Sequence, residues 1–320
     1  MGEITQTPVE DAAALLALAL TPGIGQHSVR LALETAGRLH LPPSAFLVLP
    51  LRRLVAALPP RSDAVAARIA EQTPAWHARA LRLLEQLLES GGGYVSLSDT
   101  AYPRRVRAHL RRAAPPLLFF RGPLELLARP GTAVVGTRTP LPGARDAASS
   151  MARFAAMAGD ILISGAAEGI DTTAHNAALA AGGTTLAVLP QGVLTYTPPP
   201  YLEQALREGR ALLLSPFPPD APWRRYAAVT RNDLIAAAAR LILVVAPQKT
   251  GGSVRTGLSG RGQGKTVAVW QHPPDALPRT LLGAGCADLG AAQGLELAQQ
   301  LHGLWRQAQA LDAGSPDLWE

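Results

Sequence analysis

The feature that most constrains this chain is a series of short, continuously apolar segments, each followed by a stretch with helical spacing. TAVVG (132–136), ILIS (161–164), TTLAVLP (184–190), ALLLS (211–215), LILVVA (241–246) and TVAVW (266–270) read as strands. Helical segments fill the gaps at about 143–158, 171–182, 200–208, 230–239 and 252–262. A strand that is apolar on both faces needs a covering layer on each side, and strands alternating with helices run parallel. The pattern predicts an α/β fold with a doubly wound, mostly parallel, Rossmann-like sheet. Ligands in such a sheet gather at the carboxyl ends of the strands.

The flanks read differently. Residues 1–93 are helical by pattern and strand-poor, which suggests a small all-helical domain. Within it, LALALTPGIGQHSVRLALETAG (16–37) has two apolar helical stretches around Pro22, Gly23, Ile24 and Gly25. That shape fits a helix-hairpin-helix whose turn amides hold a DNA phosphate, and it equally fits an ordinary helical corner. A further helix at 74–90 ends at Gly91, Gly92 and Gly93, expected as the linker to a Rossmann-like domain over 94–290. Residues 291–320 hold one amphipathic helix with Leu297, Leu301, Leu304 and Trp305 on one face, which predicts docking onto the main domain, and a polar end.

Composition removes several classes. The longest apolar runs, such as AAALLALAL (12–20), are too short to span a membrane, and the amino terminus is acidic rather than basic. A cytoplasmic protein with no membrane association is expected. Cys286 is the one cysteine, so there is no intrachain disulfide or cysteine zinc cluster, and it reads as small core filler. Histidines 27, 40, 77, 109, 175, 272 and 302 show no metal-ligand spacing. Charge is uneven: residues 94–290 carry 21 Lys and Arg against 12 Asp and Glu, while residues 1–93 balance at 8 and 8. That excess favours a polyanionic partner.

Three loops sit where strands end. Gly136, Thr137 and Arg138 follow the first strand, where backbone amides and a helix N-terminus attract anions. In the second loop, Ser164 and Gly165 are expected to let the backbone approach a ligand, Gly169 to permit a sharp turn, and Asp171 to cap the following helix. Asp171 and His175 fall on one helical face, so an acid–base pair is conceivable, although capping and packing require fewer assumptions. The third region begins with an extended arm carrying Arg225 and leads to Arg231 and Asn232 at a helix start. Lys249, Gly251, Gly252 and Ser253 then form a glycine-rich anion nest. GQGK (262–265) lacks the spacing of a phosphate-binding P-loop, and the first turn lacks a dinucleotide fingerprint, so no cofactor is expected.

VGTR, SGAAEGIDTTAHNAAL, GGTTLAVLPQGV, TRND and KTGGSVRTG, in this order, resemble the DNA-processing protein A family (DprA, also called Smf) over residues 100–290. The helices before them resemble that family's small helical domain, of helix-hairpin-helix or SAM-like type. The resemblance implies a non-enzymatic binder of single-stranded DNA that forms a homodimer and helps load the RecA recombinase in natural transformation. It assigns Arg138 to a phosphate and places Ser164, Gly165, Gly169, Arg231, Asn232, Lys249 and Ser253 around the same pocket. This chain departs from the family pattern in having Asp233 after Arg231 and Asn232, Ala228 where an aromatic is usual, Pro216 after Ser215, and Glu168 where an arginine is frequent. Tyr226 or Trp223 is the candidate replacement for the missing aromatic. A carboxyl-terminal winged-helix module, common in the family, is not expected after residue 290. The rival class is a phosphoribohydrolase of the lysine-decarboxylase-like fold, but Ser259 stands where its catalytic Glu belongs. A third reading is a sensor binding a free nucleotide in the same nest.

Overall fold

A computed structural model of the chain describes residues 6–71, 74–248, 251–271 and 279–313. Six helices come first: α1 (Val9–Leu20), α2 (Gln26–Arg38), α3 (Pro43–Leu47), α4 (Leu51–Ala57), α5 (Asp63–Ala70) and α6 (Pro74–Glu89). There follow β1 (Gly92–Ser96), α7 (Arg104–Leu110), β2 (Leu117–Arg121), β3 (Gly131–Gly136), α8 (Pro142–Met157), β4 (Ile161–Ser164), α9 (Ile170–Ala180) and β5 (Thr185–Val188). Next are α10 (Pro200–Arg207), β6 (Ala211–Ser215), α11 (Arg225–Thr230), α12 (Asn232–Ala238), β7 (Leu241–Val245), α13 (Gly252–Gly262) and β8 (Thr266–Trp270). The chain closes with α14 (Arg279–Gly283), β9 (Ala287–Asp288) and α15 (Gly294–Ala313).

One nine-stranded sheet runs in the order β1-β2-β6-β5-β4-β3-β7-β8-β9. From β6 to β9 every pairing is parallel, whereas β1 with β2 and β2 with β6 are antiparallel. The expected doubly wound, mostly parallel sheet is present. The six strands read from the sequence are β3 to β8, and α8, α9, α10, α13 and α15 fall within a few residues of their expected positions.

Strand geometry explains why these segments are apolar throughout. Successive side chains alternate faces, so Ile242 and Val244 of β7 join one core while Leu241, Leu243 and Val245 join the other. The first core lies beneath α12 and α13 and takes in Cys286; the second lies beneath α8 and α9. Leu297 and Leu301 of α15 are buried in that second core, with Leu304 and Trp305 packed against it, which is the expected docking face.

Two local expectations are corrected. Gly92 and Gly93 are not linker but the start of an edge strand. A Cβ on Gly92 would lie 2.6 Å from Phe120 O, and one on Gly93 would lie 2.6 Å from the Phe120 ring, so both are glycine because β1 backs closely onto β2. The arm before Arg231 is not extended along its length, since residues 225–230 coil into α11. No helix among the described residues is long and apolar enough to cross a membrane.

The topology fixes where a ligand can enter. From β3 the chain moves to β4 on one side, while β7 occupies the other side of β3 and leads on to β8. The loops leaving β3 and β7 therefore diverge, opening a crevice at the switch point.

Candidate nucleic-acid interface

A cleft of about 610 Å3 occupies that crevice. Gly136, Thr137 and Arg138 supply one wall, Gly251, Gly252 and Ser253 a second, and Trp223, Arg225, Arg231 and Asn232 a third. Sequence reasoning expected nine of these on one rim, and the fold brings those nine together. Lys249 lies outside the described residues.

Close packing of the loops dictates the glycines. A Cβ on Gly136 would come 2.3 Å from Val245 O and 2.6 Å from Ile170 Cγ1, so only glycine lets β3 leave the sheet between β7 and α9. Gly169 has φ +88° and sits against the carbonyls of Thr137 and Arg138, which seats the start of α9 under the first loop. Gly251 serves as the N-cap of α13, whose first turn faces the cleft with Ser253, Arg255 and Thr256.

Arg231 is the buried base of this arrangement, at 5% exposure. Its guanidinium donates to Val188 O and lies where a side chain at position 165 would be, a Cβ there falling 2.1 Å from Nη1. The space that Gly165 opens is thus filled by the protein's own arginine rather than left for a ligand. Ser164 likewise does not face the cleft, because it is fully buried and its hydroxyl donates to Val134 O at 2.6 Å.

Asp171 also differs from expectation. Its carboxylate turns back to accept the amides of Gly165 (3.1 Å) and Ala167 (3.3 Å), so it braces the loop before α9 and makes no N-cap bond. Burial pushes its pKa up, and the neighbouring Arg231 opposes that shift. Burial pulls Arg231 down to about 10, Asp171 holds it up, and Arg138 adds repulsion. Arg231 therefore stays charged at neutral pH, with Asp171 as its internal counterion.

The exposed cations are the groups free to meet an anion. Arg138 and Arg225 are both exposed and make no ion pair among the described residues. Arg255 also lines the cleft and was missed from the sequence, although its place in the first turn after Gly251 and Gly252 marks it as rim-facing. Asp233 stands 3.9 Å from it and takes up part of its charge. Asn232 is committed to structure, donating to Gly252 O at 3.2 Å and tying α12 to α13. Of the two candidate aromatics, Trp223 lines the cleft at 50% exposure, whereas Tyr226 is exposed outside it.

A doubly wound, mostly parallel sheet with a switch-point crevice lined by arginines and a helix start defines a Rossmann-like α/β protein. Within that class, the model for DNA recombination-mediator protein A matches residues 93–304, and the chain belongs to that family. The DNA processing protein DprA of Streptococcus pneumoniae is 33% identical over 159 residues, covering 48% of this chain and 55% of that protein. The chain spans about half the length of the curated relatives it matches at 32 to 34% identity. The crystal structure of DprA from Streptococcus pneumoniae superposes with a TM-score of 0.69 at 24% identity, covering 89% of this chain and 95% of that one. DNA processing protein A of Helicobacter pylori, described for its single-stranded DNA binding mode, gives 0.54 at 22% identity, with coverages of 67% and 96%.

Proposed function

We propose that the cleft binds single-stranded DNA without catalysing a reaction on it, and that the chain, as a cytoplasmic homodimer, assists loading of the RecA recombinase in recombination and natural transformation. The observation that carries the reading is the convergence of Arg138 and Arg225, both unpaired among the described residues, on one cleft whose floor is the charged Arg231. A flexible phosphate chain can follow helix starts and arginines around such a bend, while the exposed Trp223 offers a face for an unstacked base. The described cleft lining offers little to a hydrolase. Its one carboxylate is Asp171, already bonded to two backbone amides, and Ser259 instead accepts a hydrogen bond from Gln263.

Fluorescence anisotropy with labelled single strands and duplexes over a range of salt concentrations tests this. Single strands should bind tighter than duplex, with affinity falling as salt rises, and Arg138→Ala should weaken binding and reduce the salt slope by about 1. Salt-independent binding, or an Arg138→Ala slope equal to that of the unaltered protein, would overturn the reading.

A further inference from the structure

Beside the cleft lies a smaller hollow of about 210 Å3 that shares Arg138, Trp223, Ala228 and Arg231 with it. Its walls are flat: the Trp223 indole, the Tyr196 ring and Pro190. On its border stands Glu168, exposed and without an ion pair among the described residues although two arginines line the same hollow. Arg138 and Arg231 are donors on the side shared with the cleft, and Gln191 joins Glu168 among the lining residues that the cleft does not share. The Gln191 Nε2 group donates to Thr195 O at 2.8 Å and to Thr195 Oγ1 at 3.3 Å, which turns the amide nitrogen towards Thr195 and makes Oε1 the group it can offer.

An ionised carboxylate only accepts hydrogen bonds, and so does the oxygen of a carboxamide. The hollow therefore combines walls suited to a planar ring with the acceptors Glu168 and Gln191 on the side away from the cleft, while the donors Arg138 and Arg231 lie on the side shared with it.

We propose that this hollow receives one base of the strand held in the cleft, and that Glu168 with Gln191 makes it select guanine, cytosine or adenine over thymine. The proposal rests on the single-strand reading above. Guanine presents two adjacent donors, N1–H and the N2 amino group, which match the two oxygens of one carboxylate. Cytosine and adenine each present an exocyclic amino group. Thymine has one N–H between two carbonyl oxygens, and those oxygens would face the acceptors of Glu168 and Gln191 with no proton between them.

The test uses labelled single strands of one length, either all thymine or with every third thymine replaced by guanine or by cytosine. Anisotropy should show about tenfold tighter binding of the guanine-containing strand than of the all-thymine strand, with cytosine between them. In Glu168→Gln, which keeps the shape and removes the charge, the ratio should fall towards one while all-thymine binding tightens. Equal binding of all strands with ordinary salt dependence would overturn the selection and leave the cleft reading standing. A guanine preference that survives Glu168→Gln would overturn the role of Glu168. Loss of salt dependence for every strand would remove the cleft reading and this proposal together.

Discussion

Gly165 and Arg231 show what a residue's identity reveals and what it withholds. A glycine directly after a strand signals that something approaches the backbone closely, and that much is legible in the sequence. Which group approaches is set by tertiary placement, and here it is the Arg231 guanidinium, delivered by a helix from a distant part of the chain. Asp171 and His175 make the same point, since they share a helical face yet do unrelated work. The Thr185 hydroxyl donates to Leu162 O (3.0 Å), so the proton on the 2.6 Å contact between His175 and Thr185 Oγ1 belongs to His175 Nδ1. The imidazole is buried and neutral, and burial, with Arg231 adding to it, pulls its pKa from 6.5 down to about 3. Between those values the unfolded chain binds a proton that the folded one does not, so stability is complete above pH 6.5 and is lost as pH falls towards 3. The loss from this histidine should reach about 2 kcal/mol by pH 5. His109 acts in the same direction, with its pKa lowered to about 4 chiefly by burial and then by Lys265. Denaturant midpoints at pH 7 and pH 5 should differ accordingly, and His175→Gln should shrink the difference without abolishing it. An unchanged difference in that variant would refute the assignment.

At the scale of elements, strands buried on both faces were plain because nothing polar interrupts them. β1, β2 and β9 were not, for separate reasons. β1 begins with two glycines that read as a hinge, β2 follows a proline pair, and β9 has only two residues. What holds the central strands in register at their amino ends is a buried knot around Asp160. It accepts Thr132 Oγ1 of β3 at 2.6 Å, forms an ion pair with Arg240 just before β7, and lies 3.5 Å from Trp305 Nε1 of α15. The Arg240 guanidinium also stacks over the Trp305 ring at 4.9 Å. Removing one member of a buried pair leaves the other charge without its counterion. Asp160→Ala should therefore cost about 3–5 kcal/mol in unfolding free energy. The double variant with Arg240→Ala should lose clearly less than the sum of the two single losses. Because the knot lies at the opposite strand ends from the cleft, the folded fraction of each variant should keep its affinity for single strands. Additive losses would show that the two residues do not act as a pair.

At the scale of the whole molecule, the sequence separates residues 1–93 from the sheet more sharply than the packing does. Leu15, Leu16, Leu18, Leu84 and Leu87 share one hydrophobic cluster with Leu117 and Phe119 of β2, Leu213 of β6, and Leu189 and Val193 beyond β5. The helices also hold the outer wall of the cleft from behind. Gln26 of α2 donates to Pro216 O at 2.9 Å, and Arg79 of α6 pairs with Asp220 at 2.7 Å. Both anchors fall on the segment that carries Trp223 and Arg225 into place. A fragment of residues 94–320 would open the apolar face of β2 and β6 to water and release that segment, at a cost that scales with the apolar area uncovered. It should bind a hydrophobic dye, lose its near-ultraviolet circular dichroism while keeping much of its far-ultraviolet signal, and unfold without a cooperative transition. The full chain should unfold cooperatively, because the two halves complete one core. If the fragment instead gave a sharp transition and full single-strand affinity, the helices would be dispensable to both the sheet and the cleft, and the shared cluster would be a contact between two independently folded parts.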